Sequence, residues 1–296
     1  MSDQFPWPFR SGRFRLVPGL LPLATADWLV FDADHEDQLA ERRLLLERLG
    51  DAVLQIWAGA EHAATEAARV VMAHLADRAP DRFRLHPSHF HDLATGASWP
   101  PALSSAARLV TEDLCVLQPG TEGFVLTAGA VCFPNRWQLA DKIGRPLLAV
   151  HAPVPSYAGS LARPVDRLMT ELLPERPVWR TNWSLADDPA LHQPVETALL
   201  PPDRTLDAAN AGDRLWLRVE RQTLRRLPES GAVLFTIRTF RRPLAWFVDQ
   251  PEAAAQFAAV LRDVPPDMAR YKGLHRTGAA ALAYLDGVAP MKGSSM

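Results

Sequence analysis

The run Arg218-Val-Glu-Arg-Gln-Thr-Leu-Arg-Arg226 places four arginines and a glutamate in nine residues of a stretch that otherwise reads as β-strand. Leu215, Leu217 and Val219 alternate with Trp216, Arg218 and Glu220, the period of two of a strand with unlike faces. Charge flanked by this much apolar sequence is costly to bury unless it is paired or meets an anion. A guanidinium is a planar fork of donors suited to carboxylate or phosphate. Two readings stand: a ladder of ion pairs on the open face of a sheet, or a strand that grips an anionic ligand. Arg180 and Asn182 pose the same choice. They share one face of a strand-like segment whose other face carries Trp179, Thr181 and Trp183.

Other residues are of types that bind metals or move protons. His151 ends the apolar run Leu147–Val150 and precedes Ala-Pro-Val-Pro155. Pro153 and Pro155 restrict the backbone there, so His151 reads as a structural histidine at a strand end or as a ligand or acid–base group on a stiff mount. Cys132 follows a strand-like run and reads as a small buried hydrophobe or a thiolate ligand. Cys115 stands at the end of an expected helix. His89, His91 and Asp92 alternate, but their segment reads as a loop that lacks an obvious third and fourth ligand.

The background narrows the functions open to these residues. The chain has 296 residues, enough for one large domain or two ordinary ones. Its composition, 48% apolar and 22% charged, is that of a globular protein. A formal net charge of −2 gives no chain-wide attraction to nucleic acid or an anionic membrane. No apolar run is long enough for a transmembrane helix, and no basic stretch leads into an apolar one at the start, so a cytoplasmic location is the expectation. Two cysteines cannot build a disulfide framework. The chain has no Gly-x-Gly-x-x-Gly after a strand, no Gly-x4-Gly-Lys-Ser/Thr, no Cys-x2-Cys and no Gly-x-Ser-x-Gly. A nucleotide site of its own, a cysteine-held cluster and a serine-hydrolase elbow are therefore not expected.

The elements that must position these groups follow from the patterning. Residues 1–35 read as extended, and 36–79 as helical, with Glu41–Leu49 amphipathic and Val70, Val71 and Leu75 facing a core. Residues 80–102 form an excursion, and a helix is expected over 103–114. Strands are expected over 123–133, 145–154 and 178–185, and helices over 136–143 and 158–173. The arginine run forms one arm of a hairpin over 214–240, turning at Pro228–Gly231. Helices close the chain over 249–263 and 276–287. Five strand runs with helices at both ends predict an α+β fold with an antiparallel sheet. A helical region over 1–110 would pack on a body over 111–296.

Several of these stretches, taken together, resemble one family. They are Glu112-Asp-Leu114, Ala130-Val-Cys-Phe-Pro-Asn-Arg-Trp137, Asp141-Lys-Ile-Gly144, Val150-His-Ala-Pro-Val-Pro155, Arg180-Thr-Asn-Trp183, Arg218–Pro228, Leu234-Phe-Thr-Ile-Arg238 and Tyr271-Lys-Gly273. In this order they are similar to the heme-binding alpha subunit of the heme-dependent oxidative N-demethylases. The amino-terminal part resembles it more loosely, through Gly19-Leu20, Trp28 and Arg42-Arg43-x-Leu45-Leu46. Asn135 departs from the pattern, which more often has a small hydroxyl residue there.

The resemblance implies a PAS-like antiparallel β-sheet that carries heme b. It implies oxygen-dependent oxidation of the methyl group of a small secondary amine, such as dimethylamine, to the primary amine and formaldehyde. Electrons would come from NADPH through separate flavin and iron–sulfur reductase subunits. Heme carboxylates need arginine forks, and Arg180, Arg218, Arg221, Arg225 and Arg226 are the candidates, though alternation keeps them from all facing one way. Glu220 would orient Arg218 or relay a proton near bound oxygen. His151 is the expected axial iron ligand, with Cys132 its competitor. Two other functions stay open: a heme-binding sensor or carrier without turnover, and a structural partner whose arginines form only salt bridges.

Overall fold

A computed structural model describes residues 5–196 and 200–289, and in it the arginine run lies near the middle of a seven-stranded antiparallel sheet. The chain begins with β1 (Leu21–Pro22), α1 (His35–Leu49), β2 (Leu54–Ile56) and α2 (Glu61–Arg78). A small sheet follows, of β3 (Phe83–Leu85), β4 (Phe90–Asp92) and β5 (Ser98–Trp99), then the single turn α3 (Leu103–Ala106). Next come β6 (Asp113–Gly120), β7 (Gly123–Ala130), α4 (Leu147–Val150), α5 (Ala162–Glu171) and β8 (Val178–Ala186). The short α6 (Ala211–Arg214) leads into β9 (Trp216–Arg226) and β10 (Val233–Pro243). The described chain closes with α7 (Pro251–Asp263), α8 (Pro266–Tyr271) and α9 (Leu274–Val288). The large sheet runs β1-β8-β9-β10-β6-β7-β2.

The expected hairpin forms. β9 and β10 pair without a register shift from Trp216↔Pro243 to Arg226↔Val233. Gly231 takes φ +67, a conformation open to glycine, and the turn closes through Leu227 N to Ala232 O at 2.8 Å. Glu66 of α2 is buried beneath the turn and accepts the N–H groups of Glu229 and Ser230 at 2.7 and 2.8 Å. A slip of one residue would turn every side chain of β9 to the opposite face, so this anchoring decides which arginines face which way.

Arg218, Glu220, Gln222, Leu224 and Arg226 share one face of β9, and Leu217, Val219, Arg221, Thr223 and Arg225 share the other. The second face is covered by two cores. One gathers Trp28, Val71, Met72, Leu114 and Leu234, and the other Phe9, Trp183, Leu217, Phe247 and Phe257. A polar seam crosses it: Arg238 meets Asp32 at 2.7 Å, and Trp28 Nε1 donates to Thr223 Oγ1 at 3.1 Å. The first face is covered by the segment between β7 and β8, where Leu139, Leu147 and Met169 pack on Cys115, Leu117 and Leu224. Each such buried side chain contributes about 1.5–3 kcal/mol relative to exposure.

Several elements differ from expectation. Residues 145–154 are not a strand. Only Pro146 bridges, to Val125, and Val150 N and His151 N bond back to Pro146 O and Leu147 O as the turn α4. Four apolar residues do not distinguish a strand from a buried helical turn. The helix expected over 136–143 is a 3₁₀ turn, Leu139–Asp141. The helix expected over 103–114 stops at Ala106, and β6 begins at Asp113. Residues 113–117 are buried on both faces of the sheet, so they carry no alternation to read, and Cys115 lies within a strand rather than at a helix end. No helix of the described residues is long and apolar enough to cross a membrane.

Candidate functional site

Cross-strand pairing assembles the site. Arg180 stands opposite Gln222, Asn182 opposite Glu220, and Ser184 opposite Arg218. Their side chains rise from the first face, next to the apolar cluster that takes in Val178 and Leu224. Glu220 is 7% exposed and sits at the centre. Its Oε2 accepts from Gln222 Nε2 at 2.9 Å and from Asn182 Nδ2 at 3.4 Å, and its Oε1 lies 4.0 Å from Arg218 Nε.

Arg180 is the arginine of this face whose fork is uncommitted. Its Nε is buried without a hydrogen-bond partner. Burial draws its pKa below the ordinary value, opposed by the negative charge of Glu220 and by Tyr157.

Across from the strands stand His151 and Tyr157. His151 caps α4, and its Nδ1 lies 2.9 Å from Leu147 O. A carbonyl oxygen only accepts, so Nδ1 carries the proton and Nε2 presents a lone pair. The imidazole stacks on the Tyr157 ring at 4.4 Å with planes 12° apart. Burial lowers the His151 pKa; the Leu147 carbonyl opposes this, while Lys142 and Arg180 add to it. A neutral imidazole with an oriented ring is the form that binds iron. Burial pushes the Tyr157 hydroxyl up to about 12.

Two residues that sequence reasoning left without a role complete the site. Lys272 follows α8; its Nζ donates to Trp183 O at 2.7 Å and to Asn182 Oδ1 at 3.4 Å, over the Trp183 ring at 4.6 Å. Burial draws its pKa down to about 8, with Glu220 opposing and Arg180 reinforcing. Tyr271 beside it is 38% exposed as a whole residue, yet desolvation of its hydroxyl, then the charge of Glu220, pushes it up to about 12. The only signal for either was the Tyr271-Lys-Gly273 motif, since the bond from Lys272 to Asn182 joins segments far apart in the chain.

The other arginines are occupied elsewhere. Arg218 is 2% exposed and donates to Leu191 O at 2.8 Å and to Phe133 O, tying two loops to the sheet. Arg226 donates to the carbonyls of Met169, Thr170 and Leu172 at the end of α5, and to Gly231 O. Arg221, on the opposite face, donates to Trp28 O at 2.9 Å and Asp27 O at 2.6 Å and lies over the Trp179 ring. Arg225 lies over the Trp28 ring at 4.8 Å. These side chains bind backbone carbonyls and rings instead of a ladder of carboxylates; Arg218–Glu220 is the one ion pair among them.

Cys132 belongs to the core that holds α2, with its Sγ 3.9 Å from Arg42 O. Burial pushes its thiol up to about 11 against the pull of Arg42. His91 bonds Ser98 Oγ at 2.9 Å, and His86 and His89 stack on each other.

A family model described as Haem-dependent oxidative N-demethylase, alpha subunit-like, matches residues 19–282, which include every residue of this site. Heme offers two carboxylates, an iron and a wide apolar ring. The orphaned Arg180 fork could take a carboxylate, and the bare Nε2 of His151 could take the iron. Leu147, Leu224 and the half-buried Phe235 and Ile143 supply apolar surface on the same face. The donor set fits the group.

Proposed function

The chain belongs to the heme-dependent oxidative N-demethylase alpha-subunit-like family, and we propose that it is the heme-binding, oxygen-using subunit that demethylates a small methylated amine. The substrate class in this reading is a secondary amine such as dimethylamine, converted to the primary amine and formaldehyde. What supports it is that Arg180, with its Nε unpartnered, and Glu220 share one face of the sheet, and that His151 lies close enough to Arg180 for that charge to act on its pKa. The PAS-like character of the sheet rests on the antiparallel core β8-β9-β10-β6-β7, with the helical segment between β7 and β8 laid over one face.

Heme, when bound, supplies iron–oxygen oxidation chemistry. The protein's part is to hold, orient and exclude. Arg180 would hold a carboxylate of heme b through its fork. The absence of Cys-x2-Cys agrees with a heme bound without thioether links. His151 would hold the iron through Nε2, with its ring plane set by Tyr157 and its tautomer by Leu147 O. Glu220 receives the amine. A secondary amine is a cation at neutral pH, and the carboxylate, fixed by Gln222 and Asn182, binds that cation and holds its proton at Oε1 or Oε2. Apolar Phe235 and Ile237 limit water beside it. Electrons come from separate flavin and iron–sulfur reductase subunits, in keeping with a chain that has no nucleotide motif.

The test is amine-dependent oxygen uptake by purified protein with a supplied electron donor, read beside the heme Soret band. Uptake with formaldehyde release is expected. A Soret band with no uptake for any methylated amine would favour the sensor or carrier, and no Soret band would sink both.

A further inference from the structure

The geometry points to Lys272 as the positioning residue of Glu220, acting through the side-chain amide of Asn182; this rests on the reading of Glu220 as the group that holds the amine's proton. The amide bridges two charges. Its Oδ1 lies 3.4 Å from Lys272 Nζ and its Nδ2 lies 3.4 Å from Glu220 Oε2. An ammonium only donates and a carboxylate only accepts, so a charged Lys272 dictates which way Asn182 points. That orientation presents an N–H to Oε2. With Gln222 on the same oxygen, the carboxylate keeps Oε1 for the substrate.

The lysine is held on a stiff mount. Lys272 N bonds to Met268 O at 2.9 Å and Gly273 N to Arg270 O at 3.0 Å, ending α8 in a left-handed glycine with φ +69. A Cβ on Gly273 would run into Arg136 Nη1. Arg136, itself at φ +63, donates to Lys272 O and to Leu185 O at 3.4 Å each. Thus the Asn-Arg-Trp137 and Tyr-Lys-Gly273 motifs, otherwise without a task, interlock to bring the ammonium to Asn182.

Residue choice supports the same role. Of 32 basic residues only three are lysines, at 142, 272 and 292. Arginine is this chain's default cation, and lysine differs in being a compact charge that titrates when buried. The charged groups facing Lys272 are Glu220 on β9, which favours its proton, and Arg180 on β8, which opposes it. With its pKa drawn to about 8, the ammonium that locks Asn182 is present below that pH and lost above it. The neutral amine can accept as well as donate, and Glu220 alone then holds the amide in place.

The experiment uses full-length protein with ¹³C-labelled lysine, whose three lysines keep the spectrum simple. One resonance should titrate near pH 8 in the wild type, be missing in Lys272→Arg, and move to lower pH in Glu220→Gln, since the carboxylate favours the lysine's proton. Beside it, amine-dependent oxygen uptake should decline above about pH 8 in the wild type. The decline should move upward in Lys272→Arg, and the rate should fall about tenfold in Lys272→Met at unchanged Soret absorbance. A resonance at the ordinary lysine range, or one unmoved by Glu220→Gln, overturns the inference. So does a Lys272→Met protein with the wild-type rate and pH profile. If no heme binds, the oxidase reading fails while the resonance still decides whether Lys272 and Glu220 are coupled.

Discussion

Arg42 Nη1 lies 2.5 Å from Asp113 Oδ1, and both side chains are closed off from water. Arg42 also donates from Nε to Ala107 O at 2.8 Å and from Nη2 to Ala130 O at 2.9 Å. Asp113 accepts from the N–H groups of Cys132 at 2.7 Å and Phe133 at 3.1 Å. The pair therefore binds α1 to β6 and to the chain leaving β7, and Phe133 O in turn receives Arg218 beside Glu220.

Removing one member of that pair strands the other in a low dielectric. Arg42→Ala and Asp113→Asn are each expected to destabilise the fold by about 3–5 kcal/mol. Urea unfolding followed by tryptophan fluorescence measures this. A loss below 1 kcal/mol for either would show that the charge finds water or another partner.

Arg180 and Arg226 are expected to separate ligand binding from stability. Arg180→Ala should release heme faster to an apo-globin acceptor while the unfolding midpoint stays near wild type. Arg226→Ala uncovers the carbonyls at the end of α5 and should lower stability by about 2 kcal/mol. The opposite pattern would mean that Arg226 carries the heme carboxylate.

His151→Ala should alter the Soret band and the ferrous carbon monoxide spectrum, and Cys132→Ala should leave both unchanged. The thiol of Cys132, pushed up to about 11, is held protonated in the core. A thiolate-type Soret shift kept in His151→Ala and lost in Cys132→Ala would reverse the assignment.

His74 makes stability depend on acid. Its ring is buried against Trp28, with Nε2 unpartnered. Burial, then Arg225 and Arg78, draws its pKa from 6.5 to about 4. The fold thus prefers the neutral ring, and the unfolded chain takes up the proton first. Stability from this group is present above pH 6.5 and is lost as pH falls through 6.5 toward 4, up to about 3 kcal/mol. His74→Gln should flatten that limb of the unfolding free energy against pH; an unchanged limb would assign it to other groups.

The hairpin over β9 and β10, the turn at Pro228–Gly231 and the helices α2, α5, α7 and α9 were legible in the sequence. Period, turn residues and helix breakers act over a few neighbouring residues, and alternation alone separated Glu220 and Gln222 from Arg221. β6 escaped because a strand buried on both faces has no alternation, and α4 escaped because four apolar residues suit either element. What each arginine grips was decided only in the tertiary structure. Arg218, Arg221 and Arg226 end on backbone carbonyls brought to them from distant segments, and a carbonyl leaves no mark in the sequence. The meeting of Lys272 with Asn182 and Trp183 is of the same kind: it exists because the end of α8 folds back over β8, a contact that no local pattern encodes.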